Sequence, residues 1–132
     1  MTNPAPTPAA KIRVLLVDDH PGFRTALRHV LEACADIEVV AEAADGLAAL
    51  RLAGESAPDI VCIDNRLPAL SGAETIRRLR LHHPALPVIG LSACDEHPTV
   101  AGMLAAGAVA YVSKQEAGDA LAPMIRRWHR SA

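Results

Sequence analysis

Reactive side chains follow four short apolar runs of this sequence. The runs are typical of buried strands, and they cover residues 14–17, 60–63, 88–91 and 109–112. The side chains that come after them are Asp18 and Asp19, then Asp64, Ser92 and Lys114. If the runs are parallel strands of one sheet, their carboxyl ends meet at one edge. Three carboxylates that face a hydroxyl and an ammonium there would form a site for a metal ion and a phosphoryl group.

Carboxylates that share one crevice require a cation. At a separation of 4 Å, two unit charges repel each other by about 4 kcal/mol at an effective dielectric constant of 20. Oxygen ligands without clustered histidine or cysteine favour Mg²⁺, which keeps several waters and prefers carboxylates together with a phosphate. The alternative is that acidic residues end strands and begin turns, which is the commoner role for an Asp-Asp pair alone. The four strand ends taken together favour the metal site.

The segments between these runs have the periodicity of amphipathic helices. Pro21 is suited to open the first helix, because its missing N–H is not needed there, and the following apolar residues recur at helical spacing. Ser71 and Glu74 have the capping-box spacing, which predicts a helix from Ser71 to about His83. Further helices are predicted at residues 47–56, 98–106 and after residue 112, and a further strand at residues 37–41.

Strands that alternate with helices predict an α/β fold with right-handed crossovers and a parallel sheet that is covered on both faces. The near-continuous apolar strands agree with burial on both sides. We expect a flavodoxin-like, doubly wound (βα)5 sandwich of three layers with the sheet order 2-1-3-4-5. In that order the first and third strands are neighbours where the strand order reverses, so Asp18, Asp19 and Asp64 would share one crevice.

The composition limits what the chain can bind. Its 132 residues suit one domain, and 13 basic against 15 acidic residues give a net charge of −2, so no overall field attracts DNA or anionic lipid. Three aromatic residues are too few for a base-stacking surface, and no apolar run approaches the roughly 20 residues of a membrane span. The three separated cysteines indicate reduced thiols and a cytoplasmic location. The proline-rich residues 1–10 predict a disordered leader.

Four short motifs resemble those of a known family in both order and spacing. They are LVDDHP at 16–21, IDNRLP at 63–68, GLSA at 90–93 and YVSK at 111–114. Together they resemble the CheY-like receiver domain of bacterial two-component response regulators, over residues 11–130. The D-D-H-P start, and a lysine that no proline follows, look most like the NarL/FixJ (LuxR-type) subfamily. Each motif alone is weak evidence, whereas the ordered set is highly specific.

The resemblance implies a phosphorylation switch. Asp64 would accept a phosphoryl group from the histidine of a sensor kinase, since a carboxylate can act as a covalent nucleophile. Asp18 and Asp19 would hold Mg²⁺ with Asp64 and the backbone carbonyl of Arg66. The family also implies homodimerisation on phosphorylation, while nothing in this domain itself is expected to contact nucleic acid or a membrane.

The same resemblance implies which residues sense the phosphoryl group. Lys114 would pair with its oxygens, Ser92 would donate a hydroxyl to it, and Tyr111 would change rotamer alongside. The ordinary alternatives are a solvated lysine, a strand-end hydroxyl and a half-buried strand aromatic, and the last is as well supported as the switch role. His20 is expected to help start the first helix rather than to bind metal.

Three features depart from the family pattern or vary within it. Arg66 and Cys94 stand two residues after the acceptor and the hydroxyl, where side chains can shield the phosphoryl group, and Arg66 could slow attack by water. Residues 97–113 contain no Asp, Glu, Lys or Arg, which predicts either an uncharged docking face or an alanine-rich surface without a role. Pro123 predicts a last helix that is kinked or begins late, which puts a dimer surface there in doubt.

Two other functions compete with a stand-alone switch. The chain could be the N-terminal receiver of a DNA-binding LuxR-type regulator whose helix-turn-helix domain is absent here. An aspartyl-nucleophile hydrolase would need D-x-D after the first strand, and the sequence has Asp18-Asp19-His20 instead. Neither a GxGxxG nor a Walker loop is present, so we expect a signalling domain and not a metabolic enzyme.

Overall fold

A computed structural model describes residues 10–93 and 97–131. Strands and helices alternate throughout, as the sequence predicts. The strands are β1 Ile12–Val17, β2 Ile37–Ala43, β3 Ile60–Asp64, β4 Val88–Ser92 and β5 Ala110–Ser113. The helices are α1 Pro21–Glu32, α2 Gly46–Ser56, α3 Gly72–His82, α4 His97–Ala106 and α5 Ala117–Ser131. Residues 1–9 of the predicted leader lie outside the described residues, so the leader stays a prediction.

The strands form one parallel sheet in the order β2-β1-β3-β4-β5. This confirms the flavodoxin-like α/β prediction, including the switch point between β1 and β3. Two apolar layers cover the sheet. One packs α1 and α5 against one face, and its largest side chains include Leu16, Leu31 and Leu121. The other packs α2, α3 and α4 against the opposite face, around Leu15, Ile63 and related residues.

Local signals set the helix ends that matter for the site. Pro21 occupies the first turn of α1, and the preceding His20 has the extended backbone that a following proline favours. The Ser71 hydroxyl accepts a hydrogen bond from the Glu74 N–H at 3.1 Å, which confirms the predicted start of α3.

Helix α5 shows how the expectation for Pro123 is resolved. The helix begins at Ala117 and contains Pro123 in its interior, so it does not begin after the proline. The side of α5 that carries Pro123 is exposed. Water can satisfy the carbonyl that has lost its N–H partner one turn earlier, but the proline ring also clashes with that carbonyl, so the predicted kink stays a prediction.

Candidate functional site

The carboxyl ends of four strands meet in register at one edge of the sheet. Val17 pairs with Ile63 across β1 and β3, and Ser92 pairs with Ser113 across β4 and β5. The Lys114 N–H donates to the Ser92 carbonyl at 2.8 Å, which extends this alignment past the end of β5. Parallel pairing without an offset therefore brings the side chains that follow each strand to one place.

The ammonium of Lys114 joins two buried carboxylates. Its Nζ lies 2.6 Å from Asp18 Oδ2 and 3.0 Å from Asp64 Oδ2. The two aspartate side chains are only 2% and 3% exposed, and that of Lys114 is 14% exposed. Lys114 thus lies between Asp18, which follows β1, and Asp64 at the end of β3.

Burial and charge shift the pKa values of this group in ways that matter for chemistry. Burial raises the pKa of Asp64, as does the nearby charge of Asp18, and the hydrogen bond from Lys114 only partly offsets this. Burial lowers the pKa of Lys114, but hydrogen bonds and charges from the two aspartates outweigh it and leave that pKa raised. Lys114 therefore stays cationic, while the carboxylate of Asp64 is held in a site that disfavours its charge.

The acids of this edge could hold a metal ion. Asp18, Asp19, His20 and Asp64 each offer one ligand atom, and these atoms lie within 4.8 Å of one another. Oxygen ligands at 2.0–2.6 Å from a common ion, as for Mg²⁺ or Ca²⁺, span distances of that order. Buried Asp18 Oδ2 is contacted by the Lys114 ammonium at 2.6 Å, and no other donor among the residues that the structure describes reaches it. Three carboxylates that share a single ammonium leave negative charge that a divalent cation would fit.

Arg66 and Ser92 lie near Asp64, but the contacts of the structure do not test their predicted roles. The Arg66 N–H donates to Asp64 Oδ1 at 3.3 Å, and its side chain is exposed. Its carbonyl as a metal ligand stays a prediction. Ser92 is 1% exposed at the end of β4, beside Asp64 on β3. Ser92 therefore lies at the same edge of the sheet as Asp64, and its contact with a phosphoryl group stays a prediction.

Tyr111 does not join the charged cluster. It lies within β5, three positions before Lys114, and it is 40% exposed. Its neighbour across the sheet is Gly90, which precedes Ser92 by two residues. Exposure leaves room for the ring to change rotamer, so the predicted switch role stays a prediction.

The sequence did not predict that two further residues, Phe23 and His20, contact the charged cluster. The ring centroid of Phe23 lies 4.7 Å from Lys114 Nζ, a cation–π contact that helps to aim the ammonium. Phe23 belongs to the apolar stripe of α1. Its place in that stripe predicts burial against the sheet but does not predict a contact with Lys114. His20 Nδ1 lies 3.2 Å from Asp18 Oδ1 and 3.1 Å from Asp19 Oδ1. Its place beside the Asp-Asp pair was a visible signal.

The raised pKa of Asp64 predicts how stability depends on pH. A carboxyl whose pKa is higher in the folded than in the unfolded protein destabilises the fold above the folded pKa, and this cost disappears below the unfolded value. Asp64→Asn should therefore unfold at a higher temperature than the wild type at pH 7, and the difference should shrink as pH falls through the acidic range. Thermal unfolding of both proteins from pH 7 to pH 3 measures this. A stability gain that grows on acidification would contradict it.

Comparisons with known proteins agree with this geometry. A family model described as the response regulator receiver domain matches residues 14–126. The response regulator GacA of Pseudomonas viridiflava is 37% identical over 115 residues, which cover 87% of this chain and 52% of that protein. The probable transcriptional regulatory protein NarL of Mycobacterium tuberculosis is 37% identical over 114 residues, 86% of this chain and 51% of that protein.

Solved structures give the same result. The receiver domain of the putative response regulator NarL from Mycobacterium tuberculosis superposes with a TM-score of 0.87 at 31% identity, over 93% of this chain and 99% of that one. The chain spans about half the length of the curated relatives it matches.

Within the described ranges, no helix is both long enough and apolar enough to cross a membrane.

Proposed function

The chain belongs to the response regulator receiver domain family, and on that premise we propose that Asp64 accepts a phosphoryl group from a sensor histidine kinase. The observation that carries the proposal is the buried Asp64 carboxylate, held 3.0 Å from Lys114 Nζ beside a cluster of further acids. An oxygen of Asp64 would bond to phosphorus while the bond from phosphorus to the kinase histidine nitrogen breaks. The product is an acyl phosphate on Asp64 and a free histidine on the kinase.

We propose Mg²⁺ as the metal, held by Asp18, Asp19 and Asp64 and by the backbone carbonyl of Arg66. When bound, the ion neutralises charge on the phosphoryl oxygens. Charge balance supports the assignment, because one lysine cannot compensate three carboxylates. The hard oxygen donors of the aspartates are those that Mg²⁺ prefers.

We propose that Lys114, Ser92 and Tyr111 convert phosphorylation into a change of shape. Lys114 now pairs with Asp18 and Asp64, and a phosphoryl group on Asp64 would offer it new oxygens. Ser92 would donate its hydroxyl to the same group, and Tyr111 would move with it. The exposure of Tyr111 and Leu104, at 40% and 42%, supports an output surface on α4 and β5. On this proposal the domain signals in the cytoplasm, pairs with a second copy when it is phosphorylated, and catalyses no metabolic reaction. It contacts neither nucleic acid nor a membrane by itself.

A second candidate role is the receiver part of a LuxR-type transcription regulator. The names and lengths of the relatives favour this role. NarL of Mycobacterium tuberculosis is described as a probable transcriptional regulatory protein, and the match covers 51% of it. DNA binding would then belong to another domain of the same protein. The reading frame of the gene beyond residue 132 distinguishes a stand-alone receiver from this arrangement.

Incubation with a small phosphodonor tests the proposed reaction. The wild-type protein should gain the mass of one phosphoryl group when Mg²⁺ is present, and much less when a chelator removes the ion. Intact-protein mass spectrometry measures the gain. Equal labelling with and without the ion would contradict the metal assignment, and no labelling under any condition would contradict the function.

Arg66 provides a test of how long the signal lasts. Its side chain is exposed two residues after Asp64, where it could cover the phosphoryl group against water. We expect Arg66→Ala to shorten the half-life of the phosphorylated protein several-fold, with the initial rate of labelling unchanged. Arg51→Ala is the matched control, since Arg51 lies in α2 with a side chain that is 65% exposed. Equal half-lives for Arg66→Ala and the wild type would refute the shielding role.

A further inference from the structure

Arg24 of α1 connects that helix to the chain segment that carries Asp18. Its Nη1 donates to the main-chain carbonyl of Asp18 at 2.5 Å, and its Nε donates to Glu42 Oε1 of β2 at 3.3 Å. The Arg24 side chain is only 18% exposed, whereas charged residues of an amphipathic surface helix usually face water. The guanidinium is therefore held between the first loop of the site and the neighbouring edge strand.

The backbone of Asp18 is bonded on both sides of its Cα. Its N–H donates to the Ala43 carbonyl at 3.0 Å, which continues the pairing of β1 with β2 past Val17. Its carbonyl lies beyond the end of β1 and accepts from the guanidinium of Arg24. A hydrogen bond from an ionised donor is roughly twice as strong as one between neutral groups. This bond therefore fixes the peptide unit that joins Asp18 to Asp19.

The contacts of the Asp18 carboxylate depend on that backbone. Its Oδ1 accepts the His20 N–H at 2.8 Å, and its Oδ2 lies 2.6 Å from Lys114 Nζ. Rotation of the peptide unit after Asp18 would move the His20 N–H and turn the carboxylate, so both contacts require the segment to keep its course. Misplacement by about 1 Å can cost a reaction on the order of 10²-fold in rate.

We propose that Arg24, which Glu42 holds in turn, is a positioning residue for Asp18. It fixes the main chain from which the Asp18 carboxylate reaches the metal ion of the proposed function. A guanidinium has no acceptor atom for a metal, so Arg24 acts only through Asp18. The inference rests on the metal site of the proposed function and adds the contact that keeps this site in shape.

The charge of Arg24 predicts the opposite effect on metal binding. Like charges repel, so a guanidinium near the acidic cluster disfavours a divalent cation, and its removal would strengthen Mg²⁺ binding. Loss of positioning would weaken Mg²⁺ binding instead. The sign of the change in Mg²⁺ affinity therefore separates the two roles.

A Mg²⁺ titration followed by the amide resonances of nitrogen-15-labelled protein measures the dissociation constant, and the same spectra show whether each variant is folded. We expect Arg24→Ala to weaken Mg²⁺ binding by about tenfold, the lower end of the loss on removing an outer-shell partner. Arg24→Lys keeps the charge but lacks the planar fork that bonds two partners at once, so it should weaken binding by at least about threefold. This second variant also provides the test if the alanine variant does not fold.

Arg28→Ala is the matched control. Arg28 lies one turn later in α1, carries the same charge, and pairs with Glu32 and with the same Glu42. Its removal should change the Mg²⁺ affinity by less than about twofold, since it breaks only partly exposed ion pairs. If the folded Arg24 variants bind Mg²⁺ as tightly as the wild type or more tightly, or if Arg28→Ala weakens binding as much as they do, the proposal is wrong.

Hydrogen exchange of the metal-free protein gives a readout that needs neither the ion nor phosphorylation. The His20 N–H, which donates to Asp18 Oδ1, should exchange several-fold faster in Arg24→Ala than in the wild type, and at the wild-type rate in Arg28→Ala. Unchanged exchange at His20 in Arg24→Ala would overturn the positioning role even if Asp64 is phosphorylated normally. Absence of labelling at Asp64 in the wild type would instead overturn the proposed function, so the two failures are distinguishable.

Discussion

Asp64→Asn is expected to gain no phosphoryl group from a small phosphodonor with Mg²⁺, under conditions in which the wild type gains one. The asparagine amide has nearly the shape of the carboxylate but is not a nucleophile of this kind. It can still accept the hydrogen bond that Lys114 Nζ now donates over 3.0 Å. Intact mass after a fixed incubation measures the difference.

A control on the same strand makes that result specific. Asp59 precedes β3, at the opposite end from Asp64, and its Oδ2 accepts the Arg13 N–H at 2.9 Å. Asp59→Asn keeps an oxygen for that bond and should be labelled like the wild type. Because Asp64→Asn is also expected to unfold at a higher temperature than the wild type, lost labelling would not reflect lost folding. Unchanged labelling of Asp64→Asn would rule out Asp64 as the acceptor.

Gly72→Ala is expected to destabilise the protein by about 3 kcal/mol or more, at the upper end of the cost of overpacking. A Cβ at this position would lie 2.4 Å from the Asp64 carbonyl oxygen and 2.6 Å from Asn65 Cα. Both are backbone atoms, so relief requires a shift of the chain between β3 and α3 and not merely a new rotamer. Chemical denaturation, analysed for the free energy of unfolding, measures the effect.

Gly54→Ala is the matched control for this substitution. Gly54 lies in α2, and apart from its chain neighbours and the backbone of its own helix, no heavy atom of the described residues lies within 4 Å of a Cβ built there. Alanine is favoured over glycine in a helix by up to about 1 kcal/mol, so this variant should be as stable as the wild type or more stable. A Gly72→Ala protein that unfolds at the same denaturant concentration as the wild type would show that the loop after β3 accommodates the methyl group.

The strand ends show how far sequence reasoning reaches. Asp64 and Ser92 were assigned to one sheet edge because apolar runs precede them, and both lie buried at the ends of β3 and β4. The inference succeeds because the carboxyl ends of all strands in a parallel sheet lie at the same edge. Tyr111 shows the limit, because its position in β5 was visible but its exposure and its separation from the charges were not.

The sequence by itself determined the order of elements, the sheet topology, the family and the set of acids at one edge. Those properties depend on periodicity and on residue types that are neighbours along the chain. Only the tertiary structure decided that Lys114 lies between Asp18 and Asp64, that Phe23 supports its ammonium, and that the ring of His20 faces the carboxylates. Such contacts join distant segments through rotamers and through separations of a few ångströms. Both are set by how the helices pack on the sheet, which no local pattern encodes.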